Sequence, residues 1–202
     1  GGQETQPRFT TPPKPRLVFR VGVIGHRPNR LPVDDLQPLH SVVREILENI
    51  QKEVFLFYEE RKEFFKDVPL AVRIVSPLAE GTDRIVAEEA LELGYEMQCP
   101  LPFPKEEYEK DFNDPESVDE FYRLLKAGEA QDGFACFQLD GKRTNNNQYG
   151  PTGRVVINHS DILIVVWDGR PAAAPGGTVD KIREALRYGL PVVWIAAAEP
   201  HD

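Results

Sequence analysis

Cysteine is scarce in this sequence: Cys99 and Cys136 are its only two. They cannot build the disulfide framework of a small secreted domain, and they lie in separate apolar runs, not in a C-x-x-C pair. They read as free, buried thiols of a protein kept in a reducing cytoplasm, with a disulfide as the alternative that nothing in the sequence favours. Histidine is sparse too. His26, His40, His159 and His201 share no metal-ligand spacing with the cysteines, so no metal site is expected. No apolar run approaches the roughly 18 residues that a membrane span needs, and the Gly-, Gln-, Thr- and Pro-rich start has no apolar segment of the signal-peptide kind. G-x-G-x-x-G is missing. Val21-Gly22-Val23-Ile24-Gly25 only partly imitates it, so no dinucleotide cofactor, or any other cofactor, is expected.

Positive charge is also in deficit. Twenty-four Lys and Arg face 33 Asp and Glu, a net charge of -9. A general nucleic-acid binder carries a basic stripe, so the balance argues against nucleic acid as a partner. The distribution is uneven: residues 1–32 hold Arg8, Lys14, Arg16, Arg20, Arg27 and Arg30 against Glu4 alone. The acidic run from Glu106 to Glu120 reads as a solvated helix face.

What is present is a regular alternation. Residues 1–15, rich in Pro and Thr, read as a disordered leader. Residues 16–202 read as one domain, cut from a longer protein. β-branched or apolar runs at 17–24, 70–75, 95–101, 133–139, 162–167 and 191–196 read as strands. Between them lie helical patterns at 33–65, 81–93, 105–130 (broken at Asn113-Asp114-Pro115), 152–158 and 178–188. Gly94 and Gly189 serve as stop signals. In the first helix Leu39, Val42, Val43, Ile46, Leu47 and Ile50 share a face, and Asp34 or Asp35 caps or charges its start. The polar loop 140–150 interrupts the series. Strands alternating with helices predict an α/β fold, a Rossmann-like three-layer sandwich with a mainly parallel sheet.

Ligands of such sheets bind beyond the carboxyl ends of the strands. Gly25, His26 and Arg27 follow the first strand, where His26 and Arg27 can form a cation pair for phosphate, or be a loop histidine and a surface arginine. Ser76, Glu80, Gly81, Asp83 and Arg84 follow the second. Asp83 can accept from ribose hydroxyls or stabilise the helix start, and Arg84 can pair with phosphate or a neighbouring acid. Phe103 follows the third strand. Trp167 and Asp168 end the fifth, and either Phe103 or Trp167 can stack on a base, although Trp167 can equally be a core residue. Pro175-Gly176-Gly177-Thr178 opens the last helix, where close backbone approach and free N–H groups suit a phosphate. Asn158 lies on one helix face with Arg154, facing either the ligand or the loop.

Taken together, GVIGHR (22–27), SPLAEGTDRIVAEEAL (76–91), LPFPKEEYEKDF (101–112) and NHSDILIVVWDG…PGGT (158–178) resemble the SLOG superfamily, which groups Smf/DprA-type and LOG-type (lysine decarboxylase-like) Rossmannoid domains. The resemblance implies a nucleotide-type site at Gly25, His26, Arg27, Glu80, Gly81, Asp83, Arg84, Asn158, Asp168, Gly176, Gly177 and Thr178. It implies a sensor of a nucleotide or nucleotide-derived signal, of ADP-ribose or cyclic type, that regulates a fused or partner effector in anti-phage or stress signalling, often as a homo-oligomer. Two alternatives come with it: a LOG-like nucleoside 5'-monophosphate N-glycosidase, and DprA-like binding of single-stranded DNA. The LOG pattern PGGxGTxxE is incomplete here. The third glycine is missing and Lys181 stands where the glutamate would be, so hydrolysis would need another acid, Asp180 or Glu184. No catalytic residue is assigned.

Overall fold

The computed structural model describes residues 11–32, 34–140, 150–171 and 177–197. Six parallel strands form one sheet in the order β4-β3-β2-β1-β5-β6. They are β1 (Val18–Gly25), β2 (Ala71–Val75), β3 (Glu96–Leu101), β4 (Ala135–Gln138), β5 (Ile162–Trp167) and β6 (Val192–Ala196). The helices are α1 (Gln37–Glu60), α2 (Thr82–Glu92), α3 (Lys105–Tyr108), α4 (Pro115–Glu129), α5 (Gly150–Asn158) and α6 (Thr178–Arg187). This is the α/β Rossmann-like arrangement that the alternation predicts.

The period of two along each strand builds both covered faces. Val21 and Val23 of β1, Val72 and Ile74 of β2, Met97, Cys99 and Leu101 of β3, and Ile164 and Val166 of β5 enter the larger core, with α1, α2 and α4. The opposite parity, Ile24, Val75, Leu163 and Val165, enters a smaller core with α5 and α6. α2 lies between α1 and α4, and its residues Thr82–Ala87 and Glu89–Leu91 are all buried.

Local signals set most boundaries. Asp114 accepts from the Ser117 N–H at 2.8 Å and caps α4 ahead of Pro115. Gly94 and Gly189 take φ of +84° and +71° after α2 and α6, the left-handed turn that favours glycine. Asp35 accepts from the Gln37 N–H at 2.9 Å before α1. Leu39, Val43, Leu47 and Val54 line the buried stripe of α1, whereas Val42, expected inside, is exposed. α1 ends at Glu60, and Lys62–Phe64 form a separate 3-10 turn. The loop 140–150 lies outside the described residues except at its ends. Among the described residues no helix is long and apolar enough to cross a membrane.

Leu47 is fully buried in the larger core, and Phe64 is 63% exposed. Leu47→Ala is expected to lower unfolding stability by about 2–5 kcal/mol. Phe64→Ala should stay within about 0.5 kcal/mol of the parent. Urea denaturation of both variants checks the placement of α1.

Candidate functional site

Strand order reverses between β1 and β5. The chain adds β2, β3 and β4 on one side of β1, then crosses back through α5 to place β5 on the other. Connections leave these two carboxyl ends in opposite directions, which opens a crevice there. A cleft of about 360 Å³ occupies it, within the usual size of a small-ligand site. Its walls come from the loop after β1, the β2–α2 loop, and the starts of α5 and α6.

His26, 4% exposed, joins these walls. Its carbonyl accepts from the Thr82 N–H at 3.1 Å and from Thr82 Oγ1 at 2.9 Å, which docks the β1 loop on the start of α2. Its Nε2 accepts from the Asp168 N–H at 3.0 Å. With Nε2 so used, the proton belongs on Nδ1, which lies 3.5 Å from Thr178 Oγ1. Burial and the nearby Arg30 charge hold the His26 pKa below its ordinary value, against the opposing pull of Asp168. His26 is thus neutral at pH 7, and its 3.2 Å approach to Asp168 Oδ1 is no ion pair. The expected cation pair His26-Arg27 is corrected on this point: Arg27 alone of the two carries charge.

Gly81 sits beneath the same junction. Its φ is +91°, and a Cβ there would lie 2.7 Å from the His26 carbonyl oxygen. At the α2 start the Thr82 N–H is already committed to the His26 carbonyl. The α6 start differs. Gly177 caps it with no side-chain hydrogen bond, and its first turn presents N–H groups that a helix leaves without internal partners. Gly177, Thr178, Val179 and Lys181 all line the cleft.

Three cations reach the cleft: Arg27, Arg30 and Lys181. Arg30 donates to both carboxylate oxygens of Asp168, at 3.0 and 2.8 Å. Burial pushes the Asp168 carboxyl up, but hydrogen bonds from the Arg170 N–H and Arg30 outweigh it and hold its pKa low. Lys181 packs its stem on Gly153, where a Cβ would lie 2.9 Å from Lys181 Cε. Burial lowers the Lys181 pKa, partly offset by Asp83. Thr152 also lines the cleft, 3% exposed, and its Oγ1 has no hydrogen-bond partner among the described residues.

Two carboxylates face these cations. Glu80 is engaged by Ser117 Oγ at 2.6 Å and the Asn113 N–H at 3.2 Å. Asp83 is buried and accepts from the Ala79 N–H at 3.2 Å. Burial pushes its pKa up to about 6, against the pull of Lys181, the Ala79 hydrogen bond, Arg27 and Arg84.

The other predicted site residues have other places. Ser76 Oγ donates to the Asp83 carbonyl and accepts from the Leu78 N–H. Arg84 donates to the Leu78 carbonyl and to Ser117, and lies 4.4 Å from the Phe112 ring centroid. Together they hold Leu78 at φ +58°, a strained conformation for a branched side chain, and so set the β2–α2 loop. Both are positioning residues, and neither lines the cleft. Phe103 is 1% exposed within the larger core, which removes it as a stacking platform. Trp167 packs beside Trp194 and donates to the Arg170 carbonyl, away from the cleft. Asn158 is exposed at the end of α5 and also off the cleft. Gly176 lies outside the described residues. Of the substitute acids, Glu184 faces Arg154 at 3.8 Å, and neither it nor Asp180 lines the cleft. Arg30, Thr152 and Gly153 were missed. For Arg30 a signal existed: Pro28-Asn29 turns the chain so that its N–H reaches the Arg27 carbonyl at 3.1 Å.

Asp83 gives a signed pH dependence. Its folded pKa lies above the ordinary 3.8, so the native state binds the proton more tightly than the unfolded chain. Stability is then lost as pH rises from about 4 to about 6, and the penalty stays constant above that. Asp83→Asn should stabilise the fold at pH 7 by on the order of 3 kcal/mol, with the gap closing towards pH 4. Paired denaturation curves across this range are the check, and a destabilised variant at pH 7 would contradict the assignment.

No protein-family model matches the sequence, and no curated relative matches it. Solved structures do. DNA processing protein A (DprA) from Streptococcus pneumoniae superposes with a TM-score of 0.54 at 14% identity over 93% of this chain. This chain spans 52% of that protein, about half its length. DprA from Helicobacter pylori, whose structure is described for its single-stranded DNA binding mode, gives 0.52 at 20% identity, covering 91% of this chain and 68% of that one. The argument from net charge against nucleic acid as a partner is corrected here, because a fold shared with a single-stranded DNA-binding protein removes charge balance as grounds for exclusion. In fold, the chain is a Rossmann-like α/β domain of the kind seen in these two DprA structures.

Proposed function

We propose that the cleft binds single-stranded nucleic acid, seating one nucleotide unit with its phosphate at the start of α6. One observation carries this reading: a helix N-terminus with no side-chain cap and a buried Thr152 Oγ1 with no partner, both among the described residues, converge with the cations Arg27 and Lys181 on one crevice at the strand-order reversal. Backbone N–H groups and a positive helix end select a phosphate oxygen. Lys181 adds a point charge, and Thr152 supplies a hydroxyl donor. The likeness to DprA supports a strand as the bearer of that phosphate. The acidic balance restricts such binding to a local contact.

A second reading has its own observation. The cleft volume, about 360 Å³, suits one free nucleotide or nucleotide-derived signal, in the manner of a sensor that regulates a partner effector. Both readings use the same phosphate seat, and a strand differs from a free nucleotide in the flanking phosphates it must place.

Fluorescence anisotropy with a labelled oligo(dT), competed by mononucleotides and ADP-ribose, separates them. Strand binding is expected to weaken with salt at a log–log slope of only about -1.4 to -2.1, two to three phosphates' worth. Arg27→Ala and Lys181→Ala should each reduce affinity by about tenfold or more, the worth of a charge-assisted hydrogen bond. Arg123→Ala, at an exposed α4 residue paired with Glu88, should leave it unchanged. Free nucleotides that bind while the oligonucleotide does not would establish the second reading. Binding indifferent to both Arg27 and Lys181 would remove the cleft from either.

A further inference from the structure

Outside the cleft, the two cysteines that the sequence keeps apart are brought side by side. β3 and β4 pair in parallel with Cys99 directly opposite Cys136. Strands in a sheet lie about 4.8 Å apart, inside the range of roughly 4.4–6.8 Å between Cα atoms that a disulfide spans. Opposed residues of a parallel pair project to the same face, so both thiols lie on one side of the sheet, against the larger core. Both are free thiols.

Their environments differ in the way a two-step exchange requires. Cys99 is fully buried on β3, between β2 and β4. Cys136 is half-buried, because β4 is the edge strand and only four residues long. A hydrogen bond from Cys99 favours the Cys136 thiolate against the effect of burial, and the charge of Lys105 adds to it. Burial holds Cys99 as the thiol.

We propose that Cys99 and Cys136 form a reversible redox site, closing an intramolecular disulfide between β3 and the edge strand β4. The oxidant is a low-molecular-weight disulfide such as glutathione disulfide. The Cys136 thiolate attacks one oxidant sulfur, its S–S bond breaks, and one thiolate leaves, giving a mixed disulfide on Cys136. Cys99, buried from solvent, passes its proton to the departing glutathione sulfur as it attacks Cys136 Sγ, so the second glutathione leaves as a thiol. Two protein thiols are oxidised and one oxidant disulfide is reduced to two thiols. A dithiol reductant reverses both steps.

Direct opposition on adjacent strands makes this a reversible bond and not a structural staple. The sheet holds the two Cα–Cβ bonds nearly parallel at the strand spacing of about 4.8 Å, whereas a relaxed disulfide brings the Cβ atoms to about 3.8 Å. Closing it therefore pulls on both strands, and a strained disulfide is the more readily reduced kind. The consequence is local. The bond ties the short edge strand to β3, whose end leads through Pro102 into the cleft wall. The proposal does not depend on what the cleft binds.

The test equilibrates the full chain with graded ratios of reduced and oxidised glutathione, quenches in acid, alkylates under denaturing conditions and reads intact mass. The expected oxidised product has lost two hydrogens, carries no glutathione and takes up no alkylating agent. It should appear in a single two-electron transition and revert with dithiothreitol. Cys99→Ser should stop at one glutathione adduct on Cys136, and Cys136→Ser should leave native Cys99 unmodified. Two alkylatable thiols at every ratio would overturn the proposal, as would a stable glutathione adduct or a disulfide-linked dimer of the parent chain. The parent chain alone decides the matter if either variant fails to fold.

Discussion

The site depends on one residue's hydrogen bonds. His26 ends β1, and its carbonyl fixes the start of α2 through both donors of Thr82. Its Nε2 fixes the end of β5 through the Asp168 N–H, and its Nδ1 faces Thr178 at the start of α6. Three segments far apart in sequence are thereby held around one neutral ring. The arrangement explains Gly81 better than any ligand does: the chain passes so close to His26 that a Cβ would strike its carbonyl oxygen. Charging the ring would convert Nε2 from acceptor to donor and set it against the Asp168 N–H. Keeping it neutral is therefore part of keeping the crevice in shape, and burial together with the Arg30 charge outweighs the pull of Asp168 that favours a proton on the ring.

Around this junction the fold holds groups that stability alone would not select. Asp83 is buried with a raised pKa, Lys181 has a lowered one, Thr152 Oγ1 has no partner among the described residues, and Leu78 is held at positive φ. Each is unfavourable singly, and all lie in or next to the same cleft. Such concentration is what makes the crevice the candidate site. Ser76 and Arg84 belong to this description in an indirect role. They spend their hydrogen bonds on the strained loop, so that Glu80 and Asp83 reach the cleft wall from a fixed backbone.

Most of the fold could be read in the sequence because its signals are local. The run Ile162–Trp167 is a strand by composition, Asp114-Pro115 is a helix start, and Gly94 and Gly189 are stops. The site was legible only as a set of strand ends, because the direction of each side chain depends on parity and on neighbours. Met97, Cys99 and Leu101 share the larger core, and Phe103 continues that parity past the strand end into the same core. Trp167 follows Leu163 and Val165 into the smaller core by the same rule. The fate of Arg84 was not legible, since it is decided by α4 packing over α2, which no spacing within residues 76–91 reveals. Lys181 was noted for the glutamate it replaces. Its helical spacing from Thr178 carried the more useful message: both residues stand on the α6 face that lines the cleft.

Net charge misled for a physical reason. The total of -9 is a property of the distant field, and at physiological ionic strength that field is screened within about 8 Å. It governs encounter rates and unspecific adhesion, which require a wide basic surface. It does not govern a crevice where a helix start, two side-chain cations and a hydroxyl act at hydrogen-bond range. The acidic run from Glu106 to Glu120 lies on α3, α4 and the turn between them, and Glu80 is already engaged by α4. On the proposed reading, an acidic exterior around a local phosphate seat would suppress loose binding while leaving the specific contact intact. Composition can thus exclude a strand-wide electrostatic grip, and it cannot exclude recognition of one or a few phosphates.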